Sequence, residues 1–229
     1  MIRWLKKLRE KQETGPFPEF WQRYQQAGKL SVPATTPLAA ADFVVFDTET
    51  TGFDKKNDRV ISIGAVRVHQ GQVLVSESFE CLLRQEVAPG NKSAEIHGIL
   101  PSQIRLGMKE EDALAYFLDF IGNAVLVGHY IGFDIGMLKQ MLKRNHLPPK
   151  LHNQMIDTAQ LAIRLEHPLK SPDSYRRSDF SLDALSKRYR LPREDRHTAS
   201  GDAFATALLL LKLLAQAKQR NMTTLGDLL

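Results

Sequence analysis

The chain has 229 residues, 43% hydrophobic and 25% charged, which is room for one sizeable domain with an appendage and excludes a wholly disordered protein. Its formal net charge is +5 and its pI about 9.3, a balance that favours phosphate backbones without proving contact with them. The single cysteine, Cys81, excludes an intrachain disulfide and a cysteine-based metal site, and with no apolar run of ~18 residues and no apolar leader core, a cytoplasmic protein without a membrane span is expected.

Residues 1–41 read as a basic amphipathic N-terminal extension and linker, with seven Lys or Arg against three Glu. Trp4, Leu5 and Leu8 fit one face of a short basic helix. Phe17, Phe20, Trp21 and Tyr24 fit another at i, i+3, i+4 and i+7. Ser31 to Ala41, rich in Ala, Pro and Thr, reads as a linker. Two readings stay open. The aromatics dock on the main domain as extra core, or they face a membrane surface or a protein partner. The extension holds no candidate ligand, so it is expected to be dispensable for chemistry.

Residues 42–229 read as the main domain. Phe43-Val44-Val45-Phe46 is apolar without alternation, which predicts a strand buried on both faces. Val60 to Val68 and Val73 to Leu83 read as two further strands, joined by a Gln70-Gly71 turn, so the sheet should start antiparallel. The predicted elements that follow are a helix over Glu110 to Ile121, a short strand over Ala124 to Val127, and a helix over Ile131 to Asn145 that ends before Pro148-Pro149. Then come a strand over Met155 to Asp157 and a helix over Thr158 to Leu165. His167 to Asp179 reads as a loop, Ser181 to Arg188 as a short helix with Ser181 at its N-cap, and about Ala199 to Lys218 as the last long helix. This order predicts an α/β domain with a mixed sheet.

Three segments can carry chemistry. In Asp47-Thr48-Glu49-Thr50-Thr51-Gly52 two carboxylates lie two apart at a strand end, so their side chains share one face. Such a pair repels itself unless a cation intervenes, and oxygen ligands suit Mg²⁺ or Mn²⁺. In Gly128-His129-Tyr130-Ile131-Gly132-Phe133-Asp134 an apolar strand delivers a turn and then an acid in the first turn of a helix, a position the helix dipole also favours. In His197-Thr198-Ala199-Ser200-Gly201-Asp202 a histidine precedes a helix-start acid. Five residues within one helix would splay the two side chains ~140° apart, so His197 is expected on a lead-in outside the helix. Each segment alone has an ordinary structural explanation; together, four carboxylates and a histidine at the ends of apolar elements match a two-metal phosphodiesterase site.

Asp47-x-Glu49-x-Thr51-Gly52, then Asp134, then His197 ahead of Asp202 resemble the DEDDh exonucleases, the DnaQ-like group of the RNase H-like superfamily. The resemblance covers roughly Asp42 to Lys218. His97-Gly98-Ile99 resembles a family turn beside the substrate channel, and Asp157-Thr158 and Ser181-Leu182-Asp183 resemble the stretch between the later motifs. It implies an RNase H-like mixed five-stranded sheet flanked by helices, with the N-terminal helices as an appendage. It also implies a 3′→5′ exonuclease that uses two Mg²⁺ or Mn²⁺ ions and releases nucleoside 5′-monophosphates. Asp47 would bridge the ions, Glu49 and Asp202 would complete one site, Asp134 would hold the other, and neutral His197 would be the general base. Thr50, Thr51, Gly52, Phe53, His97, Ile99 and Phe133 are the expected substrate contacts, with Phe53, His97 and Ile99 placed to wedge or stack on terminal bases. Tyr130 stands where the family often has Asn, which leaves the local hydrogen bonding open. The expected partner is nucleic acid with single-stranded or frayed 3′ ends, DNA ahead of RNA. A proofreading or interaction subunit of a DNA polymerase assembly and an oligoribonuclease-type RNA exonuclease are the alternatives. The chain's end at Leu229, soon after the last helix, speaks against a replicase proofreading subunit. A non-catalytic binding module would predict a lost ligand, yet all five positions are occupied. Oligomeric state is left open.

Overall fold

The computed structural model describes residues 17–30, 32–86, 97–167, 175–192 and 195–229. At its centre is β1 (Phe43–Thr50), the strand predicted from its unbroken apolar run. β2 (Val60–His69), β3 (Gln72–Leu82), β4 (Val125–Gly128) and β5 (Met155–Asp157) complete a five-stranded sheet of order β3-β2-β1-β4-β5. β1 pairs antiparallel with β2 and parallel with β4, so the sheet is mixed as expected. Gln70 and Gly71 both have positive φ and join His69 to its cross-strand partner Gln72, the two-residue turn whose twist suits a hairpin.

Seven α-helices are described: α1 (Glu19–Gly28), α2 (Pro101–Arg105), α3 (Glu110–Ile121), α4 (Gly132–Arg144), α5 (Thr158–Glu166), α6 (Leu182–Tyr189) and α7 (Ala199–Gln219). Alternation along β1 sorts them. Val44 and Phe46 point into a core shared with α1, α3 and α4, whereas Phe43 and Val45 point into a second core with α5, α6 and α7. Both faces of the sheet are covered at β1, which is why that strand reads as a continuous apolar run. α2 escaped the sequence reading because five residues are too short to show an apolar period.

Of the two readings of the N-terminal aromatics, docking is the one observed. Phe20, Trp21 and Tyr24 of α1 are buried in the first core, and Phe17 packs against it. Tyr24 donates its hydroxyl to Asn153 Oδ1 at 2.6 Å and accepts the His152 N–H at 2.9 Å. The stretch read as a linker is pinned as well. The Leu38 N–H bonds the Thr223 carbonyl, and the Leu225 and Gly226 N–H groups bond the carbonyls of Thr36 and Ala34. Backbone pairing with residues 223–226 therefore holds this stretch against the main domain. The helix expected around Trp4, Leu5 and Leu8 lies outside the described residues, as do residues 168–174 of the expected loop.

α7 is the one described helix long and apolar enough to cross a membrane. Its apolar character has a local cause: Ala207, Leu209, Leu210 and Leu213 form part of the second core beneath the sheet.

Candidate active site

The alternation that sorts the helices also builds the site. Asp47 and Glu49 continue the parity of Phe43 and Val45, so they emerge on the face covered by α7. There they meet Asp202 in the first turn of α7, and carboxylate oxygens of all three lie within 4.8 Å of one another. Thr48 has the opposite parity. Its N–H and hydroxyl both donate to Asp134 Oδ1, at 3.1 Å and 2.6 Å, in the first turn of α4. One strand end thus reaches helices on both faces. Asp134 is buried, which a residue serving only the helix dipole would not need to be.

The approach of α7 depends on Gly64. In the register of β1 and β2 it faces Asp47, and a Cβ there would come within 2.2 Å of the Ser200 nitrogen. The absent side chain lets the first turn of α7 sit on the sheet and brings Asp202 to Asp47.

The electrostatics follow from this crowding. Burial, then the charges of Asp134 and Glu49, push Asp47 well above the usual carboxylate range, against a downward pull from Arg196. Burial first and Asp134 second push Glu49 up to about 7. Burial also raises Asp134, against the lowering bonds from Thr48. Carboxylates held so closely are stable as anions only with added positive charge. An all-oxygen, acidic set is the donor chemistry of hard divalent cations such as Mg²⁺ and Mn²⁺. Asp47, Glu49 and Asp202 could hold one ion, and Asp134 could contribute to a second.

His197 lies just before α7, outside the helix as its spacing from Asp202 predicts, and its side chain is exposed. Its φ is +64°, in the left-handed region that non-glycine residues seldom adopt. Its N–H reaches Asp202 Oδ1 at 3.3 Å, and Thr198 Oγ1 donates to the Asp195 carbonyl at 2.7 Å, so the lead-in is tied down. Arg196 forms ion pairs with Asp202 and, through Nε at 3.1 Å, with Asp183 of α6.

The expected substrate contacts divide into two kinds. Phe53 is 83% exposed and its ring lies 5.9 Å from that of Phe133, the residue before Asp134. Lys55 sits beside it, with Nζ donating to the Gly132 carbonyl at 2.9 Å. Thr50, Thr51 and Gly52 are engaged within their own turn. Thr50 Oγ1 donates to the Gly52 carbonyl, Thr51 Oγ1 donates to Asp58, and a Cβ on Gly52 would strike Asp58 at 2.5 Å. His97 is buried and its Nδ1 accepts the Ile99 N–H at 3.0 Å; Ile99 is half-buried.

In the second motif His129 is a strut. Its ring bonds Thr158 Oγ1 and the Phe180 carbonyl, each at 2.9 Å, and burial drives its pKa down to about 4, so it stays neutral. Tyr130 takes a positive φ of 56° and donates its hydroxyl to the Arg177 carbonyl at 2.8 Å. Thr48, Gly64 and Arg196 are the site residues that sequence reasoning missed. The parity of Thr48 was legible; the other two needed the helix packing.

Comparison with known proteins agrees with this geometry. The family model described as exonuclease, RNase_T, matches residues 44–210. A DNA polymerase III PolC-type protein of Latilactobacillus sakei is 34% identical over 194 residues, which is 83% of this chain and 13% of that protein. A DNA polymerase III subunit epsilon-like protein of Rhodobacter capsulatus is 35% identical over 205 residues, 88% of this chain and 28% of that protein. The chain therefore spans only a minor part of these relatives. Among solved structures, E. coli Exonuclease I in complex with a dT13 oligonucleotide superposes with a TM-score of 0.66 at 20% identity, over 79% of this chain and 42% of that one. That likeness carries the fold alone. The family match covers most of the sequence and contains all five candidate residues, so the chain belongs to the RNase_T exonuclease family, a DnaQ-like group on the RNase H-like fold.

Proposed function

We propose that residues 42–229 form a metal-dependent 3′→5′ exonuclease domain that releases nucleoside 5′-monophosphates from DNA with single-stranded or frayed 3′ ends. The observation that carries this reading is the gathering of Asp47, Glu49 and Asp202 within 4.8 Å, with buried Asp134 held to the same strand end. Two divalent ions, Mg²⁺ or Mn²⁺, held by these four residues would supply positive charge at the scissile phosphate and ease deprotonation of the attacking water. His197, exposed and with its N–H on Asp202, is the group that would accept the proton from that water. Phe53 and Phe133 offer a face on which a terminal base stacks without sequence preference. The DNA polymerase III names of its relatives support DNA as the substrate. A cytoplasmic location fits the lone, buried thiol of Cys81.

The test is digestion of matched single-stranded DNA, double-stranded DNA and short RNA with Mg²⁺ or Mn²⁺. Fastest turnover is expected on single-stranded DNA. Much faster turnover of RNA of two to five nucleotides would make the protein an oligoribonuclease-type enzyme. The polymerase III names of its relatives favour a second reading, a proofreading partner of a polymerase. Co-purification with a DNA polymerase would decide for it.

A further inference from the structure

Arg196 has no place in the reaction described so far, yet its charge pulls the carboxyls of both Asp47 and Glu49 downward. Its side chain is 11% exposed and bridges two elements. Nε meets Asp183 Oδ1 on α6 at 3.1 Å, and Nη1 meets Asp202 Oδ1 on α7. The same Asp202 oxygen accepts the His197 N–H at 3.3 Å. That bond and the bond from Thr198 to the Asp195 carbonyl hold a lead-in in which both Asp195 and His197 have positive φ. Such backbone persists only where its surroundings fix it.

Resting on the exonuclease reading above, we propose that Arg196 is a positioning residue that turns one oxygen of Asp202 toward the His197 lead-in and leaves the other to the metal. A guanidinium fork suits this bridge: it is planar, always charged, and pairs with two carboxylates from fixed directions. Asp183 holds the fork from behind, so the line Asp183, Arg196, Asp202, His197 sets where the general base stands relative to the metal ligands. Arg196 also places a positive charge against the acidic cluster, which weakens cation binding. The arrangement gives up some metal affinity and gains a fixed base.

This predicts opposite signs for two measurements on Arg196→Ala. Calorimetric titration of the nucleic-acid-free protein with Mn²⁺ should show binding about tenfold tighter, the size of one charge removed some 5 Å from a dication in a water-like dielectric. Turnover of a single-stranded oligonucleotide at saturating Mn²⁺ should fall by ~10² in kcat with KM little changed, as for a reacting group misplaced by about 1 Å. Arg196→Lys keeps the charge and loses the fork, so Mn²⁺ affinity should stay as in wild type while kcat still falls. Asp183→Asn should lower kcat severalfold and also leave Mn²⁺ affinity unchanged. Loss of both Mn²⁺ binding and turnover in a folded Arg196→Ala protein would make Arg196 a scaffold residue and overturn the proposal. Should that variant fail to fold, Arg196→Lys and Asp183→Asn decide, and wild-type kcat in both overturns it. Wild-type protein that neither binds Mn²⁺ nor cleaves would defeat the exonuclease reading itself, a result distinct from wild-type behaviour of the variants.

Discussion

Replacing Glu49 by Gln removes one charge from the cluster at almost constant size, and the expected result is an inactive protein that is more stable than wild type without metal. Burial, then Asp134, raise the Glu49 carboxyl from 4.5 to about 7 in the metal-free fold. The folded protein therefore holds this proton more tightly than the unfolded chain. The group is harmless below pH 4.5, and stability declines as pH rises from there to about 7, where the folded-state carboxyl ionises. The rise in pKa corresponds to about 3 kcal/mol of destabilisation above pH 7. In EDTA at pH 8, Glu49→Gln should then melt roughly 5–10 °C above wild type, for a chain of this length. At pH 4 the two should melt together. Adding Mg²⁺ or Mn²⁺ at pH 8 should raise the wild-type midpoint and leave the variant nearly unmoved. Differential scanning calorimetry across this pH range reads all three. A variant that melts at or below wild type in EDTA at pH 8 would show that the carboxylates are not strained by burial and mutual repulsion.

Gly64→Ala should push the first turn of α7 off the sheet, costing more than 10-fold in kcat/KM with a lowered melting temperature; wild-type kinetics would show that the close approach at Ser200 is not needed. Trp21→Ala should destabilise the fold by about 3–5 kcal/mol, measured by urea denaturation, because its side chain is 1% exposed in the core; a change below about 1 kcal/mol would mean that α1 is a loosely held appendage. His197→Ala should lower kcat by ~10²–10⁴ and leave Mn²⁺ affinity unchanged by calorimetry; weakened metal binding with a small rate loss would make His197 structural.

Most of the fold could be read from the sequence because its signals are local. The unbroken apolar run at Phe43 to Phe46 marks a strand buried on both faces, and Ser181 caps α6 by accepting the Ala184 N–H. Asp47 and Glu49 were legible for the same reason: strand alternation fixes their shared face. Their meeting with Asp202 depends on Gly64, whose lack of a side chain matters only once α7 lies across β2. The same holds for Arg196, an ordinary charged residue in a loop until α6 and α7 bring Asp183 and Asp202 to its two ends. Composition could not show how the linker is held, since a stretch rich in Ala, Pro and Thr gives no sign of backbone bonds to residues nearly two hundred positions away.

The central claim is metal-dependent hydrolysis from the 3′ end by the carboxylate cluster, and one measurement tests it directly. A 5′-labelled single-stranded DNA oligonucleotide is incubated with wild-type protein and with Asp47→Ala, with Mg²⁺ or with EDTA, and resolved at single-nucleotide spacing. The expected result is a ladder shortening one nucleotide at a time in the wild-type reaction with Mg²⁺, and intact substrate with EDTA and with a folded Asp47→Ala protein. Immediate release of labelled mononucleotide, or an undiminished ladder from Asp47→Ala, would contradict it.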